Sequence, residues 1–384
     1  MATRSIWQRP PEPLRYDVAI VGGGIVGTAT AYALARRAPT TRVAILDADA
    51  LAAGASGRNA GFLLLGTHAD YASAVDAYGR DAARRIWRFT HENVEAVRAL
   101  AATVDVGFEA TGSVLAAGST AEAARLQRSC ALLADDGVAS TWHGVEGIGA
   151  LGLSGFHGAL TVPQGGAVDP ARLVQALAEA SGAEVQTGWR VDRLVSASDG
   201  VQIGVATGDV ILAGRAVIAT NAYAPRLVPA LADAVRPVRA QMLATAPAPP
   251  CVPTPVYSHD GYFYVRQRAD GRVLVGGARH LHEADEVGYA DATTPALQAD
   301  LEGYLRTHVP ALGPVAVERR WSGTMGFSPD GLPALGAVPG VPEALFAVGF
   351  TGHGMGYGLR FGDLIARTLL GQVDPAADLF RTPR

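Results

Sequence analysis

Apolar and polar residues along this chain follow two spacings, one typical of strands and the other of helices. Short apolar runs occupy positions 18–21 and 43–46, with a glycine-rich turn and a helix between them. From Arg80 to Val104 apolar residues recur every three or four positions, which predicts a long amphipathic helix. The pattern therefore predicts an α/β protein that begins with a strand–helix–strand unit over residues 18–66.

Further elements follow along the rest of the chain. Asp169 before Pro170 predicts a helix start, because Asp caps unpaired amides and proline suits the first helical position. The other expectations are a strand at 112–116, helices at 120–136, 169–180 and 359–370, and hairpins at 201–217 and 262–277 with turns at Gly208-Asp209 and Asp270-Gly271. Strands and helices thus alternate as two interleaved domains would require.

The first predicted turn carries a glycine motif. Gly22, Gly24 and Gly27 have the spacing G-x-G-x-x-G, and Asp47 ends the second strand. The first glycine allows a tight turn, the second lets backbone amides approach a pyrophosphate, and the third lets the helix pack closely on its strand. The helix start favours negative charge, and the acid can accept hydrogen bonds from a ribose diol. The residues predicted to bind a dinucleotide in this unit are Gly22, Gly24, Ile25, Val26, Gly27, Asp47 and Ala48.

The loop after Asp47 indicates which dinucleotide is bound. A nicotinamide enzyme would continue into a helix of ordinary composition, whereas residues 51–62 read LAAGASGRNAGF. This small-residue loop resembles that of the amine and amino-acid oxidase family of flavoproteins, typified by D-amino-acid, glycine and sarcosine oxidases. In that family the loop runs beneath the flavin and its pyrophosphate, so the resemblance implies bound FAD. The FAD contacts that it implies in this loop are Ser56, Gly57, Arg58, Asn59, Ala60 and Gly61.

Three further segments resemble the same family, in the same order along the chain. Residues 217–223 resemble the strand that rejoins the cofactor domain, residues 321–336 contain the stretch that leads back to the flavin, and residues 349–355 resemble the closing flavin loop. The resemblance thus covers nearly the whole chain, and it is closest to the γ-glutamylputrescine oxidase-like branch. It implies that FAD also contacts Val191, Ala219, Thr220, Asn221, Gly323, Gly352, His353, Gly354 and Met355.

The resemblance implies an α/β fold in which a Rossmann-like FAD-binding domain is interleaved with an antiparallel-sheet substrate domain. The FAD-binding domain is expected to comprise residues 1–80, 150–222 and 323–384, and the substrate domain residues 81–149 and 223–322. The flavin is expected to lie between the two domains.

Composition and charge exclude several other classes of protein. Of 384 residues 49% are hydrophobic, yet no uninterrupted apolar stretch reaches the roughly 18 residues that a membrane helix needs. A formal net charge of -4 offers no basic surface for nucleic acid. Two cysteines, Cys130 and Cys251, argue against a disulfide framework or a metal cluster. Residues 1–16 lack the apolar segment of a secretion signal, so we expect a cytoplasmic enzyme, with its oligomeric state left open.

The second predicted hairpin carries candidate residues for the substrate site. Strand alternation places Tyr262, Tyr264 and Arg266 on one face, and the family uses this sheet as the roof of its active site. These side chains either line a cleft over the flavin or form a solvated outer face. Arg279 and His280 follow the glycine pair that ends the hairpin and are candidates for the same cleft.

The Gly-His-Gly turn supplies one more candidate. In the family the helix after this turn points its N-terminus at the flavin N1–O2 edge, where reduction leaves negative charge. A positive dipole end at that edge favours hydride acceptance. His353 is a candidate base, although a histidine between two glycines is more often a residue that fixes the backbone.

The resemblance implies oxidation of a carbon–nitrogen bond by hydride transfer to flavin N5, which gives an imine that water hydrolyses. The expected substrate is a small-molecule amine or an amino-acid-like compound, and O2 or another acceptor would take up the electrons. Two alternatives stay open. One is a 2-hydroxy-acid dehydrogenase of the same fold, and the other is a non-catalytic flavin-binding subunit that only transfers electrons.

Several family positions carry departures in this chain. The cysteine that tethers the flavin in sarcosine oxidases aligns with Gly323, so FAD is expected to be bound without a covalent bond. Their lysine over the flavin aligns with Gly276, so rapid reaction with oxygen is not expected unless Arg279 replaces that charge. The arginine and the lysine that hold substrate carboxylates in relatives align with Met325 and Gly356. Unless Arg266 or Arg279 supplies the charge from the roof, we therefore expect poor activity on simple α-amino acids, and favour an amine or a longer molecule whose carboxylate lies away from the reacting carbon.

Overall fold

The computed structural model describes residues 13–382. In chain order its helices are α1 (Ile25–Arg37), α2 (Tyr71–Tyr78), α3 (Arg80–Ala101), α4 (Thr120–Asp135), α5 (Pro170–Ser181), α6 (Ala224–Leu227), α7 (Pro295–His308) and α8 (Gly354–Leu369). Its strands are β1 (Leu14–Val21), β2 (Val43–Leu46), β3 (Phe62–Leu63), β4 (Ser113–Ala116), β5 (Thr141–His143), β6 (Ala159–Val162), β7 (Gly166–Ala167), β8 (Glu184–Gln186), β9 (Val191–Ala197), β10 (Gly200–Val205), β11 (Val210–Ile218), β12 (Arg236–Pro247), β13 (Val256–Ser258), β14 (Phe263–Gln267), β15 (Arg272–Gly277), β16 (Val317–Phe327), β17 (Ala334–Val338) and β18 (Val341–Val348).

The first sheet is mainly parallel. Its order is β17-β18-β11-β1-β2-β8, and β9 and β10 extend it from β11. Strand β1 pairs in parallel with both β2 and β11, which places Ala19 opposite Ala44 and Ala216. These three alanines are fully buried, as expected in a parallel sheet that is covered on both faces. The predicted strand–helix–strand unit at the start of the chain is confirmed.

Helices α1, α5 and α8 pack together with β1 and β2 over one face of this sheet. The contact between α1 and α8 depends on Gly362, because a Cβ there would lie 2.5 Å from the backbone carbon of Ala29. The opposite face packs against β10 and the segment 224–235, where Val228 and Leu231 are buried. Helices and sheet together confirm the predicted α/β fold class.

The second sheet runs in the order β16-β12-β15-β14-β13-β4-β6-β5. Its pairs are antiparallel except for the parallel pair β13–β4. The predicted hairpin with its turn at Asp270-Gly271 is present as β14 and β15. On one face of this sheet Leu297 and Leu301 of α7 pack with Val265 and Val275 in an apolar cluster.

The chain passes repeatedly between the two sheets, and two strands depart from the predicted domain boundaries. Strand β6 pairs with β4 and β5 in the second sheet, although residues 150–222 were predicted to lie in the FAD-binding domain. Strand β16 continues through the predicted boundary at residue 323. Both boundaries depend on strand pairing across long stretches of sequence, which a local pattern does not reveal.

The structure also bears on the expectations about membrane helices and metal clusters. Within residues 13–382, no helix combines the length and the apolar character that a bilayer crossing requires. The same described part of the chain holds no cluster of three or more histidine, cysteine, aspartate or glutamate residues suited to a metal ion. The expectation about a secretion signal falls mostly on residues 1–12, which lie outside the described residues.

Candidate active site

A cavity of about 1080 Å³ is lined by residues of both sheets. One end of it is formed at the carboxyl ends of the parallel strands, by Val21 of β1, Leu46 of β2 and Ala219 after β11. Open α/β sheets bind ligands at this edge. The other end is formed by the second sheet, with Tyr264 of β14 and Met325 of β16.

The glycine turn after β1 forms a cradle that side chains would fill. Gly22 has a φ of +114°, and a Cβ at Gly27 would lie 1.9 Å from the carbonyl oxygen of Gly22. A Cβ at Gly24 would lie 2.9 Å from Ser56 Oγ, which accepts a hydrogen bond from the Ile25 amide. The first turn of α1 carries no acidic side chain. The start of α1 lines the cavity, and its positive end favours the negatively charged pyrophosphate of a dinucleotide.

Asp47 holds the same turn from the end of β2. Its Oδ2 accepts a hydrogen bond from the Gly23 amide at 2.7 Å, and its Oδ1 accepts one from the Asp49 amide at 2.9 Å. The half-buried carboxylate also lines the cavity. Two carboxylate oxygens offer about four acceptor positions, so this position fits the predicted ribose acid.

The cavity brings together most of the residues predicted to contact FAD. Those that line it are Gly22, Gly24, Ile25, Val26, Asp47, Ala48, Ser56, Arg58, Asn59, Ala60, Val191, Ala219, Thr220, Asn221, Gly323, Gly352, His353, Gly354 and Met355. Gly27, Gly57 and Gly61 do not line it, because they serve close backbone packing. A Cβ at Gly57 would lie 2.3 Å from Ala52 O, and a Cβ at Gly61 would lie 2.1 Å from Val168 O.

Thr220 provides a further test of whether the cavity suits a polar cofactor. Its hydroxyl is buried and has no hydrogen-bond partner within the described protein, and the residue lines the cavity. Its neighbour Asn221 is held in a left-handed conformation with a φ of +47°, and its Oδ1 accepts a hydrogen bond from the Gly349 amide. Buried hydroxyls bond to protein, water or ligand atoms, and the polar groups of FAD would provide a partner here.

Arg58 occupies the space next to Gly323. A Cβ at Gly323 would lie 3.0 Å from the Cβ of Arg58. The Arg58 side chain donates hydrogen bonds to Ala53 O at 2.8 Å, to Ser322 O at 3.0 Å and to the Asp291 carboxylate at 2.7 Å. A side chain at 323 would therefore crowd the base of the Arg58 side chain.

Arg266 does not face the substrate end of the cavity, and its expected role as a cleft residue is wrong. The residue is only 5% exposed, and its Nη1 donates hydrogen bonds to Ala60 O at 3.0 Å and to Val168 O at 2.9 Å. Glu109 lies nearby, with 3.6 Å between its Oε1 and Arg266 Nη2. Burial lowers the pKa of the guanidinium. Arg266 therefore supports the small-residue loop from behind.

Tyr262 and His280 also lie outside the cavity lining. Tyr262 precedes β14 in a turn and does not share the strand face of Tyr264, contrary to expectation. Its ring centroid lies 4.5 Å from that of His280, and the Arg279 guanidinium lies 4.6 Å from the Tyr262 ring. Tyr262 and His280 therefore pack around Arg279, which does line the cavity.

Two stacked tyrosines form the roof of the cavity. The ring centroids of Tyr257 and Tyr264 lie 5.8 Å apart at an angle of 23°, and burial raises the pKa of both phenols. Tyr257 was not predicted, because β13 is only three residues long and carries no clear alternation. Its place in the site depends on the pairing of β13 with β14.

His353 presents a neutral imidazole to this end of the cavity. The residue is 7% exposed, and neither ring nitrogen has a hydrogen-bond partner within the described protein. Burial, assisted by the charge of nearby His68, lowers the pKa of His353 to about 3. His68 also lines the cavity, and burial together with Arg279 lowers its pKa. No spacing motif marks His68, so sequence reasoning did not identify it.

Arg279 is one of four arginines that line the cavity. Its guanidinium lies 4.6 Å from the ring centroid of Tyr262 and 5.3 Å from that of Phe327. In the described part of the chain, no carboxylate forms an ion pair with it, although Asp260 and Asp291 line the same cavity and pair with Arg125 and Arg58 respectively. Arg279 is thus available to an anionic ligand.

Comparison with known proteins gives a consistent result. A family model described as FAD dependent oxidoreductase (DAO) matches residues 17–368. The chain is 28% identical over 386 residues to the probable oxidoreductase OrdL of Rhizobium meliloti (strain 1021), covering 96% of this chain and 86% of that protein. It is 26% identical over 394 residues to the gamma-glutamylputrescine oxidoreductase of Escherichia coli (strain K12), covering 94% and 85%. It spans about half the length of some larger relatives.

Glycine oxidase of Geobacillus kaustophilus is similar in both sequence and structure. The sequences are 28% identical over 367 residues, which cover 92% of this chain and 93% of that protein (strain HTA426). The crystal structure of glycine oxidase from this organism superposes with a TM-score of 0.83 at 24% identity and covers 97% of this chain and 99% of that chain. The structural match shows a shared fold.

Proposed function

This chain belongs to the DAO family of FAD-dependent oxidoreductases, and we propose that it oxidises the carbon–nitrogen bond of an amine that carries a carboxylate away from the reacting carbon. The observation that carries this proposal is the position of Arg279, a cavity-lining cation with no carboxylate partner among the described residues. Glycine oxidase and gamma-glutamylputrescine oxidoreductase are among its relatives, which supports amine oxidation as the reaction class.

Bound FAD supplies the hydride acceptor. The residues of the chain hold and orient the reactants. The α1 amides and Asp47 would hold the pyrophosphate and a ribose, and the loop that contains Ser56 and Arg58 would lie against the rest of the cofactor. Tyr257 and Tyr264 narrow the cavity at its roof. This narrowing would keep water away from the reacting carbon.

The charged groups at the second-sheet end of the cavity favour a substrate that binds as a neutral amine. His68 and His353 are held uncharged by burial, and the carboxylates that line the second-sheet part of the cavity, Asp260 and Asp291, are already paired with arginine. A buried ammonium without a free carboxylate partner is costly. The substrate would therefore bind as the free amine, and with a pKa of about 3 His353 is too weak a base to take its proton near pH 7.

Arg279 determines where a substrate carboxylate can lie. A carboxylate that enters a closed cavity without a cation loses several kcal/mol. Met325 stands where relatives hold the carboxylate with arginine, and a Cβ at Gly356 would already lie 2.8 Å from Leu64 O. Arg190 and Arg226 also line the cavity without an ion pair among the described residues, but Arg279 is the arginine whose charge acts on His68 at this end. Glycine, sarcosine and D-alanine, whose carboxylate adjoins the reacting carbon, are expected to be poor substrates.

An anaerobic panel tests this proposal by bleaching of the flavin absorbance. The panel contains ω-amino acids and γ-glutamyl amines, the corresponding uncharged amines, small α-amino acids and 2-hydroxy acids. We expect the carboxylated amines to reduce the flavin most efficiently. Efficient reduction by sarcosine or D-alanine would contradict the carboxylate position, and reduction by 2-hydroxy acids alone would contradict the reaction class. A chain that no compound reduces would point to an electron-transferring subunit.

Arg279→Met separates the role of the cation from the reaction itself. We expect this variant to weaken binding of carboxylated amines at least about tenfold, since an ion-paired hydrogen bond contributes about 1.5–3 kcal/mol. Reduction by uncharged amines should change little. Arg268→Met, on the exposed turn of the same hairpin, is the control and should leave both classes of amine unaffected. Equal losses for charged and uncharged amines would show that Arg279 only supports the fold.

A further inference from the structure

Helix α3 carries two fully buried polar residues one turn apart, Thr90 and Asn93. The surrounding face of α3 is apolar, with Ile86, Phe89 and Val94 in the core. Polar side chains in such a position need hydrogen-bond partners. The side-chain partners of Asn93 all lie outside α3, in α8. Thr90 accepts a hydrogen bond from the Gly66 amide and donates within α3, to Ile86 O and Trp87 O.

Asn93 binds the first turns of α8. Its Nδ2 donates a hydrogen bond to Met355 O at 3.0 Å, and its Oδ1 accepts hydrogen bonds from the amides of Leu359 at 2.8 Å and Arg360 at 3.2 Å. In a regular α-helix the Leu359 amide bonds to the carbonyl of Met355, four residues before it. The side-chain amide of Asn93 therefore bonds to the Met355 carbonyl and the Leu359 amide, the two groups that pair with each other in a regular helix.

The same turn forms part of the cavity wall. Gly354, Met355 and Gly356 line the cavity, as does His353 immediately before them. The ring nitrogens of His353 are buried and lack partners within the described protein. This end of the cavity thus combines the ring nitrogens of His353 with the amides at the start of α8, of which the Gly356 amide donates to His353 O.

The sequence of this turn cannot hold its own shape. Gly354, Gly356 and Gly358 alternate through it, and glycine is among the poorest helix formers. The helix has no side-chain cap and no acidic residue in its first turn. Side chains at two of these glycines would clash, since a Cβ at Gly356 would lie 2.8 Å from Leu64 O and one at Gly358 would lie 2.4 Å from Ile25 Cγ1. Support has to come from outside α8, and Asn93 provides it.

We propose that Asn93 is a positioning residue that sets the direction of the first-turn amides of α8 and thereby the reduction potential of the bound FAD. Electron uptake adds negative charge to the cavity, and a correctly aimed helix N-terminus stabilises that charge. A turn that is free to shift would stabilise it less. The inference rests on FAD as the cofactor and is independent of the proposed amine substrate.

The test measures the midpoint potential and the sulfite affinity of the bound flavin, and it uses no substrate. Asn93→Leu keeps the approximate size and removes the three hydrogen bonds. In the FAD-loaded variant we expect a more negative midpoint potential, measured by equilibration with a reference dye, and about tenfold weaker binding of sulfite to the oxidised flavin. Asn93→Asp keeps the acceptor, loses the donor and adds negative charge, so it should shift both values further in the same direction.

Thr90→Val is the matched control. Thr90 Oγ1 accepts a hydrogen bond from the Gly66 amide at 2.7 Å and is as buried as Asn93, but Gly66 does not line the cavity. This variant should lose stability and keep the wild-type potential and sulfite affinity. If Asn93→Leu does not fold, Asn93→Ala, which also removes the three hydrogen bonds and adds no charge, carries the test. Wild-type values in a folded, FAD-loaded Asn93 variant, or an equal shift in Thr90→Val, would overturn the proposal.

Discussion

The ring of Tyr264 fills the space beside Gly276. The two residues are paired across β14 and β15, and a Cβ at Gly276 would lie 2.4 Å from Cε2 of the tyrosine. Tyr264 lines the cavity, so the glycine is what allows an aromatic roof at this point. Position 276, where sarcosine oxidases carry their lysine, can thus hold no side chain unless Tyr264 moves.

We expect Gly276→Ala to destabilise the protein by about 1–3 kcal/mol, because it overpacks a filled site. The same change should weaken FAD retention, since Tyr264 would be pushed into the cavity. Thermal unfolding with and without added FAD measures both effects. In a Tyr264→Ala background the added methyl group should cost much less. Gly149→Ala, at a position where a Cβ would meet open space, is the control, and an equal loss there would show that the steric argument fails.

The reduced enzyme is expected to react slowly with oxygen. The first electron transferred to O2 gives an anion, which a nearby cation stabilises. The chain contains no lysine, all 32 of its Lys and Arg residues being arginine, and Tyr264 occupies the place beside Gly276. Mixing reduced enzyme with air-saturated buffer in a stopped-flow instrument should give slower reoxidation than a quinone acceptor does. Rapid reoxidation that is lost in Arg279→Met would instead show that Arg279 supplies the charge.

Asp47→Ala is expected to weaken FAD binding while leaving the fold intact. The carboxylate holds the glycine turn through the Gly23 amide and lies at the cavity, and hydrogen bonds to a charged group contribute about 1.5–3 kcal/mol each. Retention of FAD during dialysis measures the loss. Asp49→Ala, two residues away and exposed, should have a smaller effect. The assignment of the ribose acid would move to Asp49 if the two variants behaved in the opposite way.

Arg266→Met is expected to weaken FAD binding and to leave substrate binding unchanged. Removal of Arg266 leaves the carbonyls of Ala60 and Val168 buried without their donor, at about 1–3 kcal/mol for each unsatisfied group. The variant should release FAD more readily and keep the binding of carboxylated amines in the fraction that still holds flavin. Selective loss of carboxylated amines, as expected for Arg279→Met, would return Arg266 to the substrate site.

Acid should destabilise the folded protein through its buried histidines. Burial, with smaller contributions from nearby charges, lowers the pKa of His353 to about 3 and that of His259 to about 4. The unfolded chain takes up these protons below a pKa of about 6.5, so it binds more protons than the folded chain in this range. Stability from these groups is therefore present above pH 6.5 and is lost as the pH falls towards 4, by about 1.4 kcal/mol per pH unit for each histidine.

Urea unfolding of the FAD-loaded protein between about pH 7.5 and about pH 5 measures this dependence. His259→Gln should make the stability less dependent on pH by the contribution of one histidine. His308→Gln, at a histidine whose pKa is also lowered by burial, should reduce the dependence in the same direction. Parallel curves for wild type and both variants would show that other groups cause the acid sensitivity.

Local sequence patterns determined much of this protein, because the forces that they report act between neighbours in the chain. The spacing of Gly22, Gly24, Gly27 and Asp47 required a strand–turn–helix–strand unit, and the structure has it. Asp169 and Pro170 predicted the start of α5, where Asp169 accepts hydrogen bonds from the amides of the first turn. The alternation and the turn residues also predicted the β14–β15 hairpin, which is present.

The tertiary structure decided which side chains face the cavity, because that depends on pairing between distant strands. Sequence alternation assigned Arg266 to the cleft, but the backbone carbonyls of another loop, at Ala60 and Val168, bind its guanidinium. Tyr257 enters the site only because β13 pairs with β14. Asn93 binds α8 across 262 positions of the chain, and burial among elements so far apart leaves no periodicity for a sequence to display.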